Sequence, residues 1–367
     1  MAAPRTSFEI VIVGGGPAGC AAAISARRQK LHALIVERDA LPGQGTCPGW
    51  LGPAAIRGCR ECGVDALAAG VEFRGLRLRS WDFKRCVEVD DPELIGCVAD
   101  PSELSRALLE AACSGGAELL RPVTMEEVRL GETCVTLRLS NRRTVEGQVV
   151  LIADGVCSPG AEMVHMSAAW QVAGSHACAR TVLNTAGSDC GLDLVLGSGR
   201  GLKLATIARG RRQTRVMLRS HDDSVPVEEQ LEALVAAGQK AGVLPPVDGC
   251  SPCRAHCLAG SALEMESHVG KRCLLIGDAG GFVTSFSGEG MYPALRSGWL
   301  AAEAVLRSLA APVLQDELAA FSATWRGDLA EYLQMPNTDL GLLMPMVFDN
   351  AQMSRRIARA FLLGQVL

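Results

Sequence analysis

Short, wholly apolar runs recur along the chain and predict buried parallel strands. They occupy residues 10–13, 33–36, 149–152 and 273–276, and a glycine or an acidic residue follows each of them directly or after one alanine. A strand covered on both faces has no polar side, so continuous apolar runs are typical of a parallel sheet with helices on its faces. The first two runs and the helix-length stretch between them predict one βαβ unit.

Helical and alternating patterns fill much of the remaining chain. Apolar and polar residues alternate in short runs within 71–99 and 165–220, which predicts antiparallel sheet. The pattern indicates an α/β domain interrupted by a β-rich second domain and followed by a helical C-terminal segment. Helices are predicted over residues 17–29, 101–114, 227–241, 291–308 and 315–333. The predicted boundaries are 1–70, 100–160 and 270–315 for the first domain, 71–99 and 161–269 for the second, and 316–367 for the C-terminal segment.

Charge and composition exclude several classes of protein. The chain of 367 residues carries 36 Lys and Arg against 40 Asp and Glu, so it has no global basic field that would hold nucleic acid. With 48% hydrophobic and 21% charged residues, it has the composition of a folded protein rather than a disordered one. It contains no run of about 18 apolar residues and no charged segment leading into an apolar one at its start. We therefore expect neither a membrane span nor a signal peptide.

The cysteines point to a reducing compartment. There are 15 of them, an odd number without a secretory signal, which disfavours a disulfide framework and favours the cytoplasm. Two groups have spacings that are also found in metal sites: Cys59 with Cys62, and Cys250, Cys253 and Cys257 with His256. No second regularly spaced pair accompanies either group, so we expect packed thiols and no metal.

Three glycines between the first apolar run and the first helix form a dinucleotide-binding fingerprint. Gly14, Gly16 and Gly19 fit the pattern G-x-G-x-x-G, and an acidic residue ends the second strand 18 residues after Gly19. In this pattern the glycines permit a tight turn, close approach of a pyrophosphate and close helix packing, and the acid accepts hydrogen bonds from a ribose. The residues predicted to hold a dinucleotide here are Gly14, Gly16, Pro17, Ala18, Gly19, Glu37 and Arg38.

A later motif indicates which dinucleotide binds. Residues 273–282, CLLIGDAGGF, and 287–291, SGEGM, resemble the second nucleotide motif of the FAD-dependent geranylgeranyl reductases, within the wider p-hydroxybenzoate hydroxylase-like flavoproteins. Asp154 and Gly155 resemble the middle motif of that family, without the basic residue that usually follows it. The resemblance implies a Rossmann-like FAD-binding domain with an inserted antiparallel, β-rich substrate domain. It also implies FAD-binding roles for Asp154, Gly277, Asp278, Gly288, Glu289, Gly290 and Met291, with Asp278 on the ribitol and the Glu289 segment along the isoalloxazine.

A glycine-rich loop supplies the candidate catalytic residues. Residues 42–50, PGQGTCPGW, fall where geranylgeranyl reductases carry a cysteine-containing loop that faces the flavin. The resemblance places Cys47 near the reacting face, where its thiol would gate the site or help to position or protonate the substrate. Trp50 would form a wall of the substrate site. Ordinary packing is the alternative for both residues, and Tyr292 is the second candidate proton donor.

The resemblance implies that reduced flavin delivers hydride to a carbon–carbon double bond of an isoprenoid-like or other apolar small molecule. Isolated alkenes accept hydride poorly, so a positioned acid would have to assist. Two alternatives stay open: monooxygenation of an aromatic or polyketide-like substrate, and electron transfer without catalysis. The family's aromatic-x-Trp-x-Phe-Pro segment has no counterpart here, so the substrate is open, as is the oligomeric state. The expected reductant is NAD(P)H or another electron donor, a redox partner included.

Two basic regions of the chain could be either structural or ligand-binding. The basic stretch of residues 200–219 is either a solvated sheet face or a contact for phosphate. Residues 353–362 predict an amphipathic helix with Met353, Ile357 and Phe361 on one face and Arg355, Arg356 and Arg359 on the other. Such a helix commonly caps a domain, which is the interpretation we favour, and the alternative is transient contact with a membrane surface. The expected location is the cytoplasm, with transient contact at a membrane.

Overall fold

The structure is a computed structural model, and it describes residues 5–40, 47–171, 176–184, 189–197, 202–246, 250–334 and 340–365. In chain order its strands are β1 (Ser7–Val13), β2 (Ala33–Val36), β3 (Trp50–Leu51), β4 (Gly70–Arg74), β5 (Leu76–Ser80), β6 (Cys86–Val89), β7 (Ile95–Ala99), β8 (Glu118–Leu120), β9 (Met125–Leu130), β10 (Val135–Leu139), β11 (Thr144–Ile152), β12 (His176–Asn184), β13 (Gly191–Gly197), β14 (Lys203–Arg209), β15 (Gln213–Ser220), β16 (Cys253–Cys257), β17 (Val269–Gly270) and β18 (Cys273–Leu275). Its helices are α1 (Pro17–Arg28), α2 (Pro53–Glu61), α3 (Pro101–Ser114), α4 (Pro159–Met163), α5 (Val227–Lys240), α6 (Ser261–Glu264), α7 (Met291–Ala310), α8 (Leu314–Ala319), α9 (Phe321–Leu333), α10 (Leu340–Val347) and α11 (Ala351–Leu363).

The predicted parallel sheet is present and carries all four apolar runs. Its strand order is β17-β18-β11-β1-β2-β8, and β10 and β9 continue from β11. The pairs that join β18, β11, β1, β2 and β8 are parallel. Val11 of β1 lies beside Val150 on one side and Leu34 on the other, and all three are buried. The Rossmann-like α/β fold with a β-rich region and a helical C-terminus is therefore confirmed.

The β-rich region forms a second sheet in the order β16-β12-β15-β14-β13-β5-β6. Most of its pairs are antiparallel as predicted, but β5 and β13 are parallel neighbours. The segment 71–99 divides between two sheets, because β4 and β7 pair with each other and β7 also pairs with β3 in a separate three-stranded sheet. Local alternation indicates a strand but not its partner, so neither pairing could be predicted from the pattern.

Small residues let the first helix pack closely against the seventh. A Cβ built on Gly298 of α7 would lie only 2.2 Å from the carbonyl oxygen of Ala18 in α1. The alanines of α1 are fully buried between the sheet and α7. The helix predicted over 315–333 is in fact two helices, α8 and α9, which meet at Ala320.

The basic stretch on β14 and β15 is largely internal rather than a solvated face. Arg209 forms two bonds with the buried carboxylate of Asp193, at 2.6 and 2.8 Å. Lys203 lies 3.1 Å from Asp222, and Arg215 donates to Asp100 at 3.0 Å. Arg200, which belongs to the same predicted stretch, lies outside the described residues.

The amphipathic helix α11 uses its apolar face inside the molecule. Ile357 and Phe361 are buried, and the Phe361 ring packs on Trp50 at a centroid distance of 5.1 Å. On its basic side Arg359 pairs with Asp91 at 2.9 Å and with Glu93 at 2.5 Å. Both faces of the helix thus have partners within the chain, as the capping interpretation predicts. Within the described ranges no helix is both long and apolar enough to cross a membrane.

Replacing Asn350 with alanine is expected to lower the free energy of unfolding by about 1 kcal/mol. The Asn350 side chain caps α11 by accepting hydrogen bonds from the backbone amides of Gln352 at 2.9 Å and Met353 at 3.2 Å. Urea unfolding at neutral pH measures the change. Gln352→Ala, at an exposed position of the same turn, is the matched control and should stay within about 0.5 kcal/mol of the parent. Equal losses in the two variants would contradict a capping role.

Candidate functional site

A large cavity opens where the parallel sheet meets the second sheet. Its walls come from the residues that follow β1, β2 and β11, from the segment between residue 278 and the first turn of α7, and from β15 and β16 of the second sheet. Ligands of open α/β sheets bind beyond the carboxyl ends of the parallel strands, which is where this cavity lies. The predicted site residues that line it are Gly14, Gly16, Pro17, Ala18, Glu37, Arg38, Cys47, Trp50, Asp154, Asp278, Gly288, Glu289, Gly290 and Met291.

The glycine-rich turn has the geometry that its spacing predicts. Gly14 adopts φ +110°, and a Cβ there would lie 2.2 Å from the carbonyl oxygen of Ala153. A Cβ on Gly19 would lie 2.0 Å from the carbonyl oxygen of Gly14. A Cβ on Gly16 would meet nothing within 4 Å. Two of the glycines are therefore required by close packing, and the third keeps a space free on the cavity wall.

The end of α1 that faces the cavity can receive an anion. No side chain caps the helix at Gly16, and Pro17 occupies its first position. The exposed amides of a helix N-terminus carry partial positive charge, which favours phosphate groups.

Glu37 ties the glycine-rich turn to the end of β2. One carboxylate oxygen accepts from the amide of Gly15 at 2.6 Å, and the other accepts from the amide of Asp39 at 2.7 Å. Each carboxylate oxygen retains a further lone pair, so Glu37 can hold the turn and still accept a bond from a ligand hydroxyl.

Asp278 presents a free carboxylate to the cavity. It lies on the turn after β18, and within the described residues no side chain or backbone amide donates to its carboxylate. Burial raises the pKa of Asp278 to about 6, because the charged form is poorly solvated there. An acceptor of this kind suits a hydroxyl-bearing ligand, which would supply the missing donors.

Glu289 is buried in the cavity wall just before α7. Its Oε1 accepts from the amide of Tyr292 at 2.8 Å, and its Oε2 accepts from the hydroxyl of Tyr332 at 3.2 Å. Burial raises the pKa of Glu289 to about 7, although both of these bonds oppose the rise. One amide at the start of α7 is thus already used by Glu289, and the carboxyl itself is poised between its charged and neutral forms near neutral pH.

Asp154 stabilises the turn after β11. Its two carboxylate oxygens accept from the Ser158 hydroxyl at 2.6 Å and from the Gly160 amide at 2.7 Å. Burial raises its pKa despite these bonds. Asp154 also lines the cavity, so it both shapes the turn and presents part of its carboxylate to a ligand.

Cys47 and Trp50 lie on the side of the cavity that faces the second sheet. Residues 42–46 of their loop lie outside the described residues. Trp50 is buried against Phe361, and the Cys47 thiol lies in the cavity wall near Arg215 and Glu289. Burial, more than any other influence, raises the pKa of Cys47 to about 11. The thiol is therefore protonated at neutral pH and is a weak acid there.

Alkylation of Cys47 should be slow at pH 7 and should accelerate about tenfold per pH unit until the pH approaches 11, because the thiolate is the reacting form. Peptide mapping after timed exposure to iodoacetamide measures this residue separately from the other thiols. A rate that levels off below pH 9 would show that the thiol is activated.

Three predicted site residues do not line the cavity. Gly19 and Gly277 are packing positions, since a Cβ on Gly277 would lie 2.7 Å from the Cβ of Ala18. Tyr292 turns towards α2 and packs edge-on against Tyr332, with ring centroids 5.0 Å apart. The backbone amide of Tyr292 donates to the carboxylate of Glu289. Glu289 lines the cavity, whereas the phenol of Tyr292 does not.

Several lining residues were not predicted from the sequence to belong to this site. Met217 reaches the cavity from β15, and His256, Cys257 and Leu258 reach it from β16 and the residue after it. His256 and Cys257 had been grouped by spacing with Cys250 and Cys253, which do not line it. Alternation along β15 marks Met217 as pointing to one face, but only the packing of the sheet shows which face meets the cavity.

In the described part of the chain no three His, Cys, Asp or Glu side chains are grouped so that they would hold a metal ion. Cys59 lies in α2 and Cys62 directly follows that helix, and both are buried, whereas Cys253 and Cys257 are the two ends of β16 and Cys250 precedes that strand. All of them have free thiols.

The polar groups of the cavity fit a dinucleotide that carries phosphates and hydroxyls. The open space at Gly16 and the uncapped helix suit a pyrophosphate, and Glu37 and Asp278 suit hydroxyl groups at two separate points. The side of the cavity formed by Cys47 and Trp50 is less polar. It would receive the end of the dinucleotide that reacts, together with the substrate.

Comparisons with known proteins agree with this arrangement. The family model for FAD dependent oxidoreductases matches residues 9–176. Digeranylgeranylglycerophospholipid reductase of Methanocella arvoryzae is 24% identical over 94% of this chain and 89% of its own length. Menaquinone reductase of Mycobacterium tuberculosis is 27% identical over 81% of this chain and 76% of its own.

Solved structures extend the likeness in fold to nearly the whole chain. A geranylgeranyl bacteriochlorophyll reductase-like protein from Thermoplasma acidophilum superposes with a TM-score of 0.76 at 16% identity, over 99% of this chain and 98% of that one. A p-nitrophenol 4-monooxygenase from Pseudomonas putida superposes with a TM-score of 0.73 at 16% identity, over 98% of each chain. At such identity the structures show the fold alone.

Proposed function

We propose that this chain, which is similar to FAD-dependent oxidoreductases and to a digeranylgeranylglycerophospholipid reductase, reduces a carbon–carbon double bond in an apolar, isoprenoid-like small molecule. The proposal refines the broader activity, FAD-dependent oxidation and reduction, to one reaction and one class of substrate.

One observation carries the choice of reaction. The relative that aligns over 94% of this chain is named a digeranylgeranylglycerophospholipid reductase, so the likeness extends over both sheets and is not confined to the glycine-rich motif. The cavity supports the choice of an apolar substrate, because its side near the second sheet is formed by Trp50, Met217 and Leu258.

The cofactor would be held by the residues that the sequence singles out. The turn at Gly16 and the start of α1 would bind the pyrophosphate, Glu37 the ribose, and Asp278 the ribitol. When bound and reduced, FAD supplies the hydride. Gly288, Gly290 and Met291 would border the same ligand from the start of α7.

Reduction of a double bond also needs a proton, and the described residues favour Glu289 as its source. An effective general acid has a pKa near the working pH. The pKa of Glu289 is raised to about 7, whereas that of Cys47 is raised to about 11. Cys47 was the first prediction from the sequence, and its buried neutral thiol is better suited to packing against the substrate than to donating a proton.

An anaerobic single-turnover experiment tests the reaction. Enzyme reduced chemically without oxygen should reoxidise when a polyprenyl substrate is added, and mass spectrometry should find a product that has gained two hydrogens. Incorporation of an oxygen atom in air, with no product formed anaerobically, would replace the reductase by a monooxygenase. Fast electron exchange with a quinone or protein, and no altered small molecule, would indicate an electron-transfer protein.

The same preparation tests the reductant. We propose NAD(P)H, and flavin bleaching by NADPH or NADH under anaerobic conditions would support it. Bleaching only by dithionite would point to a separate redox partner.

A further inference from the structure

Arg219 is a buried cation, and none of the carboxylates that the structure describes forms an ion pair with it. It lies near the end of β15 and is only 6% exposed. Its Nη2 donates to the carbonyl oxygen of Phe286, and its Nη1 lies 3.9 Å from the sulfur of Cys257. A guanidinium has five N–H donors, so most of its hydrogen-bonding capacity remains.

Arg209, at the opposite end of the adjacent strand β14, is a buried arginine whose charge is paired with a carboxylate. It is 7% exposed, and both of its terminal nitrogens bond to the carboxylate of Asp193. For Arg219, no carboxylate of the described residues lies within ion-pairing distance. A buried charge is costly unless it is paired, so the missing electron-rich oxygen is expected from a ligand.

Arg219 lines a narrow pocket that opens from the large cavity. Its apolar lining includes Trp50, Leu204, Met217 and Phe361, and its polar lining includes Thr206 and Ser287. The two cavities share Trp50, Met217 and Gly288. A volume of about 20 Å³ leaves room for a small oxygen-bearing group beside Arg219.

The pocket is adjacent to the segment that we assign to the flavin. A Cβ on Gly288 would lie 3.4 Å from Nη1 of Arg219, and Gly288 precedes Glu289. A group held by Arg219 is therefore close to both the proposed proton donor and the proposed cofactor.

We propose that Arg219 binds the carbonyl oxygen of the substrate, and that this carbonyl is conjugated with the double bond that is reduced. The inference rests on the proposed reductase function and narrows its substrate to an α,β-unsaturated carbonyl compound with an apolar chain. Conjugation also removes the difficulty that isolated alkenes accept hydride poorly.

The reaction balances with the groups at hand. Bound, reduced FAD would supply the hydride that forms a C–H bond at the β-carbon, and the electron pair of the double bond would move to give an enolate. Arg219 pairs with the enolate oxygen, where negative charge develops. The carboxyl of Glu289 then gives its proton to the α-carbon, which restores the carbonyl and leaves a saturated product.

Farnesal and farnesol provide a matched pair of probes, since they share a carbon skeleton and differ in the carbonyl. We expect the holoenzyme to reduce farnesal in preference to farnesol under anaerobic conditions. Arg219→Met should lower kcat/KM for farnesal about 100-fold and leave the Kd for FAD and the slow reaction of farnesol within about threefold. Arg219→Lys should recover part of the loss, and Arg212→Met, at an exposed position next to the same strand, should have no effect.

A binding measurement separates this inference from the proposed function. Farnesoic acid carries an anionic oxygen in the position of the enolate oxygen, and its binding to the oxidised holoenzyme can be followed by the flavin spectrum without any turnover. Tighter binding of the acid than of farnesol, lost in Arg219→Met, supports the assignment even if neither alkene is reduced, in which case only the reductase proposal fails. Three results would overturn the assignment of Arg219. They are equal affinity for farnesoic acid and farnesol, an equal loss of kcat/KM for farnesal and farnesol in Arg219→Met, and a higher Kd for FAD in that variant.

Discussion

Replacing Gly16 with valine is expected to weaken FAD binding strongly while the protein stays folded. A Cβ at this position would meet no protein atom within 4 Å, and the backbone has no positive φ that would strain a larger residue. The added side chain would instead occupy the space in front of the uncapped end of α1, where the pyrophosphate belongs. We expect the Kd for FAD to rise at least about 100-fold, which corresponds to about 2.8 kcal/mol.

Gly327→Val is the matched control for this variant. Gly327 lies on an exposed face of α9, and a Cβ there also meets nothing within 4 Å, so the chemical change and the free space are the same. Titration of the apoprotein with FAD, followed by flavin fluorescence, gives the Kd, and circular dichroism of the apoproteins reports the fold. If Gly16→Val binds FAD within threefold of the parent, the assignment of this turn to the pyrophosphate is wrong.

Gly14, two residues before Gly16, has a different role. Its positive φ and the 2.2 Å approach to Ala153 make it a requirement of the fold itself. A variant there would lose FAD through damage to the turn, which is why Gly16 gives the cleaner experiment.

The sequence predicted correctly those parts of the fold whose hydrophobic pattern and functional motif lie in the same short segment of the chain. The apolar run of β1, the glycines and the following helix lie next to one another in the chain, so their geometry depends on few distant contacts. The same is true of β2, which extends over Ala33–Val36 as predicted. At these places the residue types alone restrict the backbone to one arrangement.

The parts that could not be predicted depend on residues far apart in sequence. Arg219 belongs to a basic stretch in which Arg209 and Arg215 have carboxylate partners, and only the folded sheet shows that no described carboxylate pairs with Arg219. Glu289 and Tyr292 are three residues apart, and either could have faced the cavity until the packing of Tyr292 on Tyr332 was known. Spacing likewise grouped Cys257 with Cys250, although only Cys257 lines the cavity.

Glu289→Gln is expected to reduce turnover in double-bond reduction about 100-fold, because it removes the proposed proton donor. Glutamine keeps the size of the side chain and an oxygen that can still accept from the amide of Tyr292, so the start of α7 should be preserved. The variant should bind FAD and unfold like the parent.

The pH dependence gives the sharper part of this prediction. The pKa of Glu289 is raised to about 7, so the neutral form that can donate a proton is depleted as the pH rises above 7. Turnover of the parent should therefore fall tenfold per pH unit on the alkaline side, and this fall should be absent from the profile of Glu289→Gln. Stopped-flow measurement of flavin reoxidation by substrate, without oxygen, isolates the step.

Tyr332→Phe distinguishes an acid at the cavity wall from a merely structural carboxyl. The Tyr332 hydroxyl donates to Oε2 of Glu289 at 3.2 Å, which stabilises the charged form and lowers the pKa of the carboxyl. Its removal should raise that pKa further, so the alkaline fall should move to higher pH while the rate at pH 6 changes little. A profile that stays in place in Tyr332→Phe, or an alkaline fall that persists in Glu289→Gln, would assign the proton to another group, and the buried thiol of Cys47 would be the next residue to test.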